Sequence, residues 1–405
     1  MFTIKRFMAA SLAAASLFTL CACGSGNSAS TTEETMNNTT LTTEQSQPEH
    51  WLDAVSDKPF AVFDFSEGKD MYGDKTVNII GDSISQGLNS DLFYDYSWAA
   101  LFKEVMAKKY GTHNMGYVSL VARTNEAVPG REIHTITYDG AWDRYYVSSN
   151  TPGGCSYASH EEGATMHIEV NRKEGGKDRH INGFYVYYPE GPYRSTFKVL
   201  VNGQEMTVID AQKPEENGCA RSAYIALPEN CPDEVKIDLV VGACNNQSVI
   251  ISGISYIDDP NDIIVNNYSL SGIRLADISD STLVEMCKAN VVILTLGTND
   301  CGTGIDIGTF NAKLERVKYA CQENGSLLIV GNMIWDREAE PDYGEAFKKS
   351  LRNAADAVGG YYLDMNFAKV RSPEFLEVSR PWDVHPTIVG HDLIAQVLCE
   401  YLEAL

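Results

Sequence analysis

Apolar and polar residues follow two different periods along this chain of 405 residues, and the changes of period divide it into parts. Before residue 113, a short apolar run at 77–80 ends at a turn, and segment 97–109 has apolar residues at helical spacing. From 114 to 262, strand-like runs are separated by Gly, Pro and Asn turns, with no helical pattern. From 263 onwards, strand-like and helical segments alternate again.

The two parts with mixed character, 51–113 and 263–405, are predicted to form one α/β domain. Its later strands are predicted at 263–267, 291–296, 326–332 and 360–365, and its later helices at 280–288, 309–323, 343–358 and from 387. Such alternation is typical of a parallel sheet with helices on both faces, which predicts a three-layer α/β/α domain. Segment 114–262 is predicted to be a β-sandwich module inserted into this domain.

Residues 1–23 have the pattern of a bacterial lipoprotein signal peptide. Lys5 and Arg6 precede an apolar stretch at 7–20, which is too short and too rich in alanine for a membrane span. Cys23 follows Leu-Cys-Ala, which looks like a lipobox, so we expect lipidation of Cys23 and an extracytoplasmic protein anchored to the bacterial cell membrane. The alternative is an ordinary signal peptide cut near Ala22. The polar composition of 24–50 predicts a flexible linker.

Charge and cysteine spacing limit the classes of partner. The net charge of −23 disfavours nucleic acid and anionic lipid, so the lipid anchor is the only membrane contact that we expect. The ten cysteines show no spacing typical of a zinc site. Cys219 with Cys231 is the first disulfide to consider in an exported protein, and buried free thiols are the alternative.

Ser83 is the first candidate for chemistry. It lies in Gly-Asp-Ser-Ile-Ser at 81–85, directly after the predicted strand 77–80, and ligands bind at the carboxyl ends of strands in open α/β sheets. A serine hydroxyl needs a base to take its proton, and His385 in Trp-Asp-Val-His-Pro is the natural base. Ser85 is interpreted as a turn or N-cap residue. His391 is interpreted as a packing or capping residue.

Two further blocks lie between this serine and this histidine. Gly272 ends Asn-Tyr-Ser-Leu-Ser-Gly, and Asn299 lies in Leu-Gly-Thr-Asn-Asp. The order Ser83, Gly272, Asn299, His385 resembles the SGNH (GDSL-type) hydrolase family. That resemblance implies a flavodoxin-like α/β/α fold, Ser83 as nucleophile and His385 as general base. It also implies an oxyanion hole from Gly272, Asn299 and the Ser83 amide, and a carboxylic ester hydrolase that needs no metal or organic cofactor.

The acid of the proposed triad departs from the family pattern. The acid commonly lies three residues before the histidine, where this chain has Trp382. Asp383 lies two residues before His385, and in an extended segment residues i and i+2 face the same side. Asp383 is therefore the predicted third member; the alternative is a serine–histidine dyad oriented by a backbone carbonyl. Asp82 and Asp300 are interpreted as residues that brace the two loops.

The domain order is similar to that of bacterial peptidoglycan O-acetylesterases, whose insert looks like a carbohydrate-binding module. This similarity implies removal of O-acetyl groups from peptidoglycan or another polysaccharide through an acyl-serine intermediate. The alternatives are a lipase or lysophospholipase on the same fold, and a non-catalytic glycan-binding lipoprotein with a decayed triad. In the insert, tyrosines either stack on sugar rings or fill the module's core; they are Tyr185, Tyr187, Tyr188 and Tyr193.

Overall fold

The computed structural model describes residues 51–90, 93–120, 133–145, 149–173, 180–213, 219–337, 340, 342–376 and 383–405. The predicted signal peptide, the lipidation site Cys23, the linker 24–50 and Trp382 lie outside these residues. Among the described helices, none is both long enough and apolar enough to cross a membrane.

The described residues form helices and strands in the order that the chain runs. The helices are α1 (Trp51–Ala54), α2 (Ser83–Gln86), α3 (Phe93–Tyr96), α4 (Trp98–Tyr110), α5 (Asp280–Met286), α6 (Thr298–Gly302), α7 (Ile307–Asn324), α8 (Glu345–Ala357), α9 (Asn366–Lys369) and α10 (Ile388–Ala404). The strands are β1 (Thr76–Ile80), β2 (Gly116–Ser119), β3 (His134–Asp139), β4 (Asp143–Tyr145), β5 (Ser156–Ser159), β6 (Thr165–Asn171), β7 (Gly183–Glu190), β8 (Thr196–Val201), β9 (Gln204–Asp210), β10 (Cys219–Ala226), β11 (Glu234–Val241), β12 (Val249–Ile251), β13 (Gly253–Ile257), β14 (Ile264–Asn267), β15 (Val291–Leu294), β16 (Leu327–Asn332) and β17 (Tyr361–Asp364). Short 3₁₀ helices occur at Pro152–Gly154 and Leu275–Asp277.

A five-stranded parallel sheet in the order β14-β1-β15-β16-β17 forms the centre of the α/β part. Every residue of β1 and β15 is buried, as expected for strands covered on both faces. Numbered within this part alone, the strand order is the flavodoxin-like 2-1-3-4-5, in which the order of the strands reverses between the first and third strands. Ligands are therefore expected beyond the carboxyl ends of β1 and β15.

Helices cover both faces of this sheet. Val292 of β15 belongs to a hydrophobic cluster with residues of α5, α7 and α8, whereas the next residue, Ile293, belongs to a cluster with α4 and α10. Helix α4 begins after Ser97, whose hydroxyl accepts a hydrogen bond from Ala100 N, and ends at Gly111 with φ +72°. The predicted helix 97–109 is therefore confirmed within one residue at each end, and the layered α/β architecture follows from the sequence period.

Segment 114–262 contains β2 to β13, which form antiparallel sheets. The two larger ones have the orders β10-β7-β13-β2 and β3-β6-β11-β8-β9, and a three-stranded sheet has the order β12-β5-β4. Phe184 and Val186 of β7 share one buried cluster with Ile237 and Leu239 of β11, so the two larger sheets share a core. Strand β11 alternates buried and more exposed positions, as a strand with one solvated face does.

Strand β7 differs from β11 because both of its faces are buried. Its second face places Tyr185 and Tyr187 in the hydrophobic cluster of the α/β part, beside Tyr268. Tyr188 packs inside the β-rich core, and Tyr193 is 74% exposed. Three of the four candidate sugar-stacking tyrosines are therefore core residues, and β7 lies between the two cores.

The expected disulfide between Cys219 and Cys231 is wrong, because Cys231 is a free thiol. Cys219 begins β10 and Cys231 lies beyond its far end, so about seven strand steps, roughly 23 Å, separate their backbones. A disulfide needs Cα atoms within about 7 Å. The Cys231 Sγ instead accepts a hydrogen bond from Asn202 Nδ2 at 3.5 Å. The side chain of Cys219 lies outside the described part.

Candidate active site

Ser83 is the first residue of α2, immediately after the turn that follows β1. Gly81 is required in this turn, because a Cβ there would lie 2.3 Å from Thr295 Oγ1. Asp82 caps α2, with its Oδ1 accepting a hydrogen bond from Ile84 N at 3.1 Å. The buried strand and this capped helix together hold the Ser83 hydroxyl at the carboxyl edge of the parallel sheet.

Ser83, His385 and Asp383 form a continuous chain of hydrogen bonds. His385 Nε2 lies 2.8 Å from Ser83 Oγ, and His385 Nδ1 lies 2.5 Å from Asp383 Oδ1. The same Oδ1 accepts a hydrogen bond from the His385 backbone N at 3.0 Å. The side chains of His385 and Asp383 are 21% and 15% exposed, so most of their surface is shielded from water.

The carboxylate determines which ring nitrogen carries the proton. Burial raises the pKa of Asp383, but hydrogen bonds from the His385 backbone and ring outweigh it, and the net pKa lies below its ordinary value. An ionised carboxylate only accepts, so Nδ1 carries the hydrogen and Nε2 presents its lone pair to the Ser83 hydroxyl. This tautomer is the one that can take a proton from serine.

Gly272 lies in the loop after β14, and Asn299 lies in the short helix α6; the two segments are hydrogen-bonded to each other, and the loop is hydrogen-bonded to α2. Asn299, the second residue of α6, donates from Nδ2 to Ile273 O at 3.0 Å, next to Gly272. Ser271 N donates to Gln86 Oε1 of α2 at 2.8 Å. Gly272 has φ +75°, a backbone conformation that favours glycine. The structure therefore places Gly272 in a loop bonded to the helix of Ser83 and Asn299 in a helix bonded to that loop, and their role as oxyanion donors stays a prediction.

The two aspartates next to these motifs hold backbone groups. Asp300 accepts hydrogen bonds from Leu275 N at 2.9 Å and Ala276 N at 3.2 Å, which fixes the loop after Gly272. Burial, with a contribution from the charge of Asp300, raises the pKa of Asp82 to about 7. Both carboxyl groups accept hydrogen bonds from the backbone of the loops, which agrees with their interpretation as bracing residues.

Ser85 and His391 also have structural contacts. Ser85 Oγ lies 2.6 Å from Thr295 Oγ1 and is buried. His391 accepts a hydrogen bond from Trp98 N at Nδ1 and donates from Nε2 to Leu88 O at 3.0 Å. Burial lowers the pKa of His391 to about 4, so the ring is neutral near pH 7. His391 therefore joins α10 to the segment after α2.

Comparison with solved structures bears on the fold. The chain is similar to the structure of a peptidoglycan O-acetylesterase, with 17% identity and a TM-score of 0.56 over 82% of this chain and 91% of that chain. At that identity the likeness concerns the fold. This chain has the fold of that esterase.

Two other likenesses are weaker, and their TM-scores are too low to inform the fold. A family two carbohydrate esterase from Clostridium thermocellum in complex with cellohexaose has 12% identity and a TM-score of 0.27 over 67% of this chain and 98% of that chain. Psychrotrophic esterase EstA from Pseudoalteromonas sp. has 16% identity and a TM-score of 0.29 over 36% of this chain and 79% of that chain. No protein-family model and no curated protein matches the chain.

Trp335 is a site residue that the sequence interpretation missed. Its Nε1 donates to Val384 O at 2.8 Å, between Asp383 and His385, and its ring packs edge-on against Phe375. Trp335 follows the carboxyl end of β16 and is 5% exposed. The signal that pointed to Ser83, a hydrogen-bonding residue just after a parallel strand, also applies to Trp335.

Asn89 is a second missed contact. It has φ +70°, and its Nδ2 lies 3.5 Å from both Asp383 Oδ2 and His385 O. Asn tolerates the left-handed region better than most residues, which suits this position.

In the part of the chain that the structure describes, no group of three His, Cys, Asp or Glu side chains is arranged to hold a metal ion.

Proposed function

We propose that this protein is a serine esterase that removes O-acetyl groups from carbohydrate through an acyl-serine intermediate. The observation that carries the proposal is the hydrogen-bonded chain from Ser83 through His385 to Asp383 at the carboxyl edge of the sheet. The fold shared with a peptidoglycan O-acetylesterase supports an ester substrate on a glycan. Peptidoglycan is the first polysaccharide to test.

The geometry suits a two-step acyl transfer. Ser83 Oγ attacks the acetyl carbonyl carbon while His385 Nε2 takes its proton, and the ionised Asp383 stabilises the imidazolium that forms. Negative charge develops on the carbonyl oxygen, where we place the Ser83 amide, the Gly272 amide and Asn299 Nδ2 as donors. Collapse breaks the ester C–O bond, and His385 returns the proton to the departing sugar hydroxyl.

The second step releases acetate. Water attacks the acetyl-Ser83 carbonyl carbon while His385 takes the proton of that water; the bond from this carbon to Ser83 Oγ then breaks, and His385 returns the proton to Oγ as acetate departs. No step in this sequence requires a group beyond those residues and water. In each step His385 acts first as a base and then as an acid, and it does both through Nε2, the ring nitrogen that faces Ser83.

We propose the segment 114–262 as a β-sandwich module that positions glycan and contributes no catalytic residue. Its two larger sheets share one core, which supports a sandwich. The burial of β7 on both faces supports a fixed attachment to the α/β part. Of the four candidate tyrosines, Tyr193 is the one with an exposed ring.

The proposed location is the outer side of the bacterial cell membrane, with a lipid anchor on Cys23. The support is the sequence at 1–23, in which a charged and apolar signal precedes the lipobox-like cysteine. Mass spectrometry of the mature N-terminus tests this proposal. An unmodified N-terminus at residue 22, 23 or 24 would rule out the anchor.

A fluorophosphonate probe and an acetate-release assay together test the enzymatic proposal. We expect the probe to label Ser83 in the full-length protein and leave Ser83→Ala unlabelled. We expect acetate release from at least one acetylated polysaccharide in a panel that includes peptidoglycan. Nitrophenyl esters of increasing chain length separate this function from a lipase, because a lipase prefers long acyl chains. Absence of Ser83 labelling would instead support a non-catalytic glycan-binding protein.

A further inference from the structure

A cleft remote from Ser83 lies where the β-rich segment meets the α/β part. Its cavity volume is about 60 Å³, and Tyr185, Arg221, Asn266 and Glu285 contribute to its walls. The cavity is smaller than the roughly 300–1,000 Å³ of an enclosing small-molecule site, so a ligand would rest across its mouth. Its walls come from both parts of the protein, with residues of β7 and β10 on one side and residues of β1, β14 and α5 on the other.

The cleft is distinct from the proposed active site. Thr76 and Asn78 line it from the amino-terminal half of β1, whereas Ser83 follows the carboxyl end of that strand. At about 3.3 Å per strand residue, Thr76 lies about 13 Å from the carboxyl end of β1, and Asp70, Tyr72 and Asp74 precede Thr76 in the chain. None of the triad residues is among its lining residues.

Two carboxyl groups on the cleft wall retain hydrogen-bonding capacity. Asp70 Oδ1 accepts hydrogen bonds from Tyr72 N at 2.9 Å and Asp74 N at 2.6 Å, and Asp74 Oδ2 accepts one from Tyr185 OH at 2.5 Å. The Asp70 carboxyl also interacts with the Gly73 backbone N, whereas among the described residues Asp74 Oδ1 accepts no hydrogen bond. Burial, with the neighbouring Asp74 charge, raises the pKa of Asp70 to about 7, so this group is a donor as well as an acceptor near neutral pH.

An exposed aromatic ring stands at the rim of the cleft. Tyr72 is 46% exposed, and its ring lies 6.2 Å from the Tyr185 ring with an interplanar angle of 37°. The Tyr72 hydroxyl accepts a hydrogen bond from Ser222 N at 2.9 Å, which fixes the ring against the β-rich segment. An immobilised aromatic face beside carboxyl groups matches a sugar ring, which has an apolar face and an edge of hydroxyls.

The charges in the cleft disfavour an anion or a metal ion as the ligand. Arg221 Nε lies 3.1 Å from Glu190 Oε2, and Lys288 Nζ lies 2.7 Å from Glu285 Oε1, so both cations are already paired. An anion would have to compete with those carboxylates. Within the described ranges, no three-ligand acidic group could hold a metal cation. A neutral polyhydroxylated ligand meets neither obstacle.

We propose that this cleft is a second, non-catalytic saccharide-binding site, in which Tyr72 stacks on one sugar ring and Asp70 and Asp74 hydrogen-bond its hydroxyls. The inference rests on the proposed function and extends it, because a site remote from Ser83 would hold a polymeric substrate while another unit is deacetylated. It assigns the binding role to the junction of the two parts instead of to the outer surface of the insert.

Calorimetric titration of full-length Ser83→Ala tests the site without turnover. The probes are six-unit oligomers of N-acetylglucosamine, glucose and xylose, with a cationic glucosamine oligomer as a charge control. We expect saturable binding of at least one neutral oligomer, weakened at least tenfold by adding Tyr72→Ala. Tyr72→Phe keeps the ring and should bind within threefold of the parent. Tyr319→Ala is the matched control, because Tyr319 is 55% exposed and lies on α7, away from the cleft.

The outcomes separate this inference from the esterase proposal. With Ser83 intact, Tyr72→Ala should leave turnover of nitrophenyl acetate unchanged and raise KM for an acetylated polymer. No binding of any neutral oligomer, binding of the cationic oligomer alone, or equal binding by Tyr72→Ala would each overturn the second site. If Tyr72→Ala does not fold, hydrogen exchange on the parent decides, because bound oligomer must protect residues 70–74. If the wild-type protein has no esterase activity, the esterase proposal is refuted, and the result on oligomer binding is unaffected.

Discussion

Replacing Asp383 tests how His385 is oriented. Asp383 Oδ1 accepts hydrogen bonds from both the ring Nδ1 and the backbone N of His385. Asp383→Ala removes both bonds and the negative charge, and water from the rim does not restore a fixed acceptor. Asp383→Asn keeps the shape but offers an amide, which favours the ring tautomer that cannot take the Ser83 proton.

The structure sets the expected magnitude. A hydrogen bond to a charged group is worth roughly 1.5–3 kcal/mol. The carboxylate also stabilises the imidazolium, which at an effective dielectric of 20 adds on the order of a few kcal/mol, reduced by the partial exposure of the pair. Since about 1.4 kcal/mol corresponds to tenfold in rate, we expect kcat to fall by about 10³-fold, within a range of roughly 10²–10⁴.

Turnover of nitrophenyl acetate by purified full-length variants measures this effect. Asn89→Ala is the matched control, because it removes only the longer 3.5 Å contacts to Asp383 Oδ2 and His385 O, and we expect a loss under about tenfold. Thermal melts must show that each variant is folded. Activity of Asp383→Ala within threefold of the wild type would refute the triad and leave a dyad oriented by a backbone carbonyl. Wild-type activity in Asp383→Asn would show that the charge is not required.

Other predictions follow from the same contacts. Ser83→Ala and His385→Ala should each lower nitrophenyl acetate turnover by several orders of magnitude, and the double variant should be little worse than either, because both remove the same covalent step; additive losses would contradict this. Asn299→Ala should lower kcat by roughly 10²–10³-fold with little change in KM, and a change confined to KM would remove its oxyanion role. Trp335→Phe should keep the fold while lowering kcat and shifting its pH profile, because the histidine segment loses its tether, and an unchanged profile would limit the residue to packing. The folded pKa of His391 lies below its unfolded value, so stability is full above about pH 6.5 and falls towards pH 4, by about 2 kcal/mol between pH 7.5 and 5; urea unfolding of His391→Asn should show a weaker pH dependence than the wild type, and an equal dependence would place the protonation elsewhere.

The sequence by itself determined the local elements and the position of Ser83 relative to them. Buried parallel strands are continuous apolar runs, so β1 and β15 were predictable from short windows. Helix α4 was predictable because its spacing and its Ser97 cap are both local. A serine directly after such a strand must stand at the carboxyl edge of the sheet, whatever the rest of the chain does.

Only the tertiary structure decided which distant groups meet. The contact of His385 with Ser83 joins residues 302 positions apart, and no local pattern specifies a 2.8 Å distance. The Trp335 contact to the histidine segment depends in the same way on packing between separate loops.

The burial of the second face of β7 could not be predicted from the sequence either, because the local pattern fits Tyr185 equally well as an exposed sugar-stacking residue or as a core residue. Burial is a property of what lies opposite a side chain, and for Tyr185 that is the α/β part. The free thiol of Cys231 was likewise not predictable from local spacing. Cys219 and Cys231 are only twelve positions apart in the sequence, but the extended strand β10 lies between them and holds their backbones far apart. Periodicity therefore determined the elements, while side-chain contacts between distant segments determined the site, the cleft and the cysteine state.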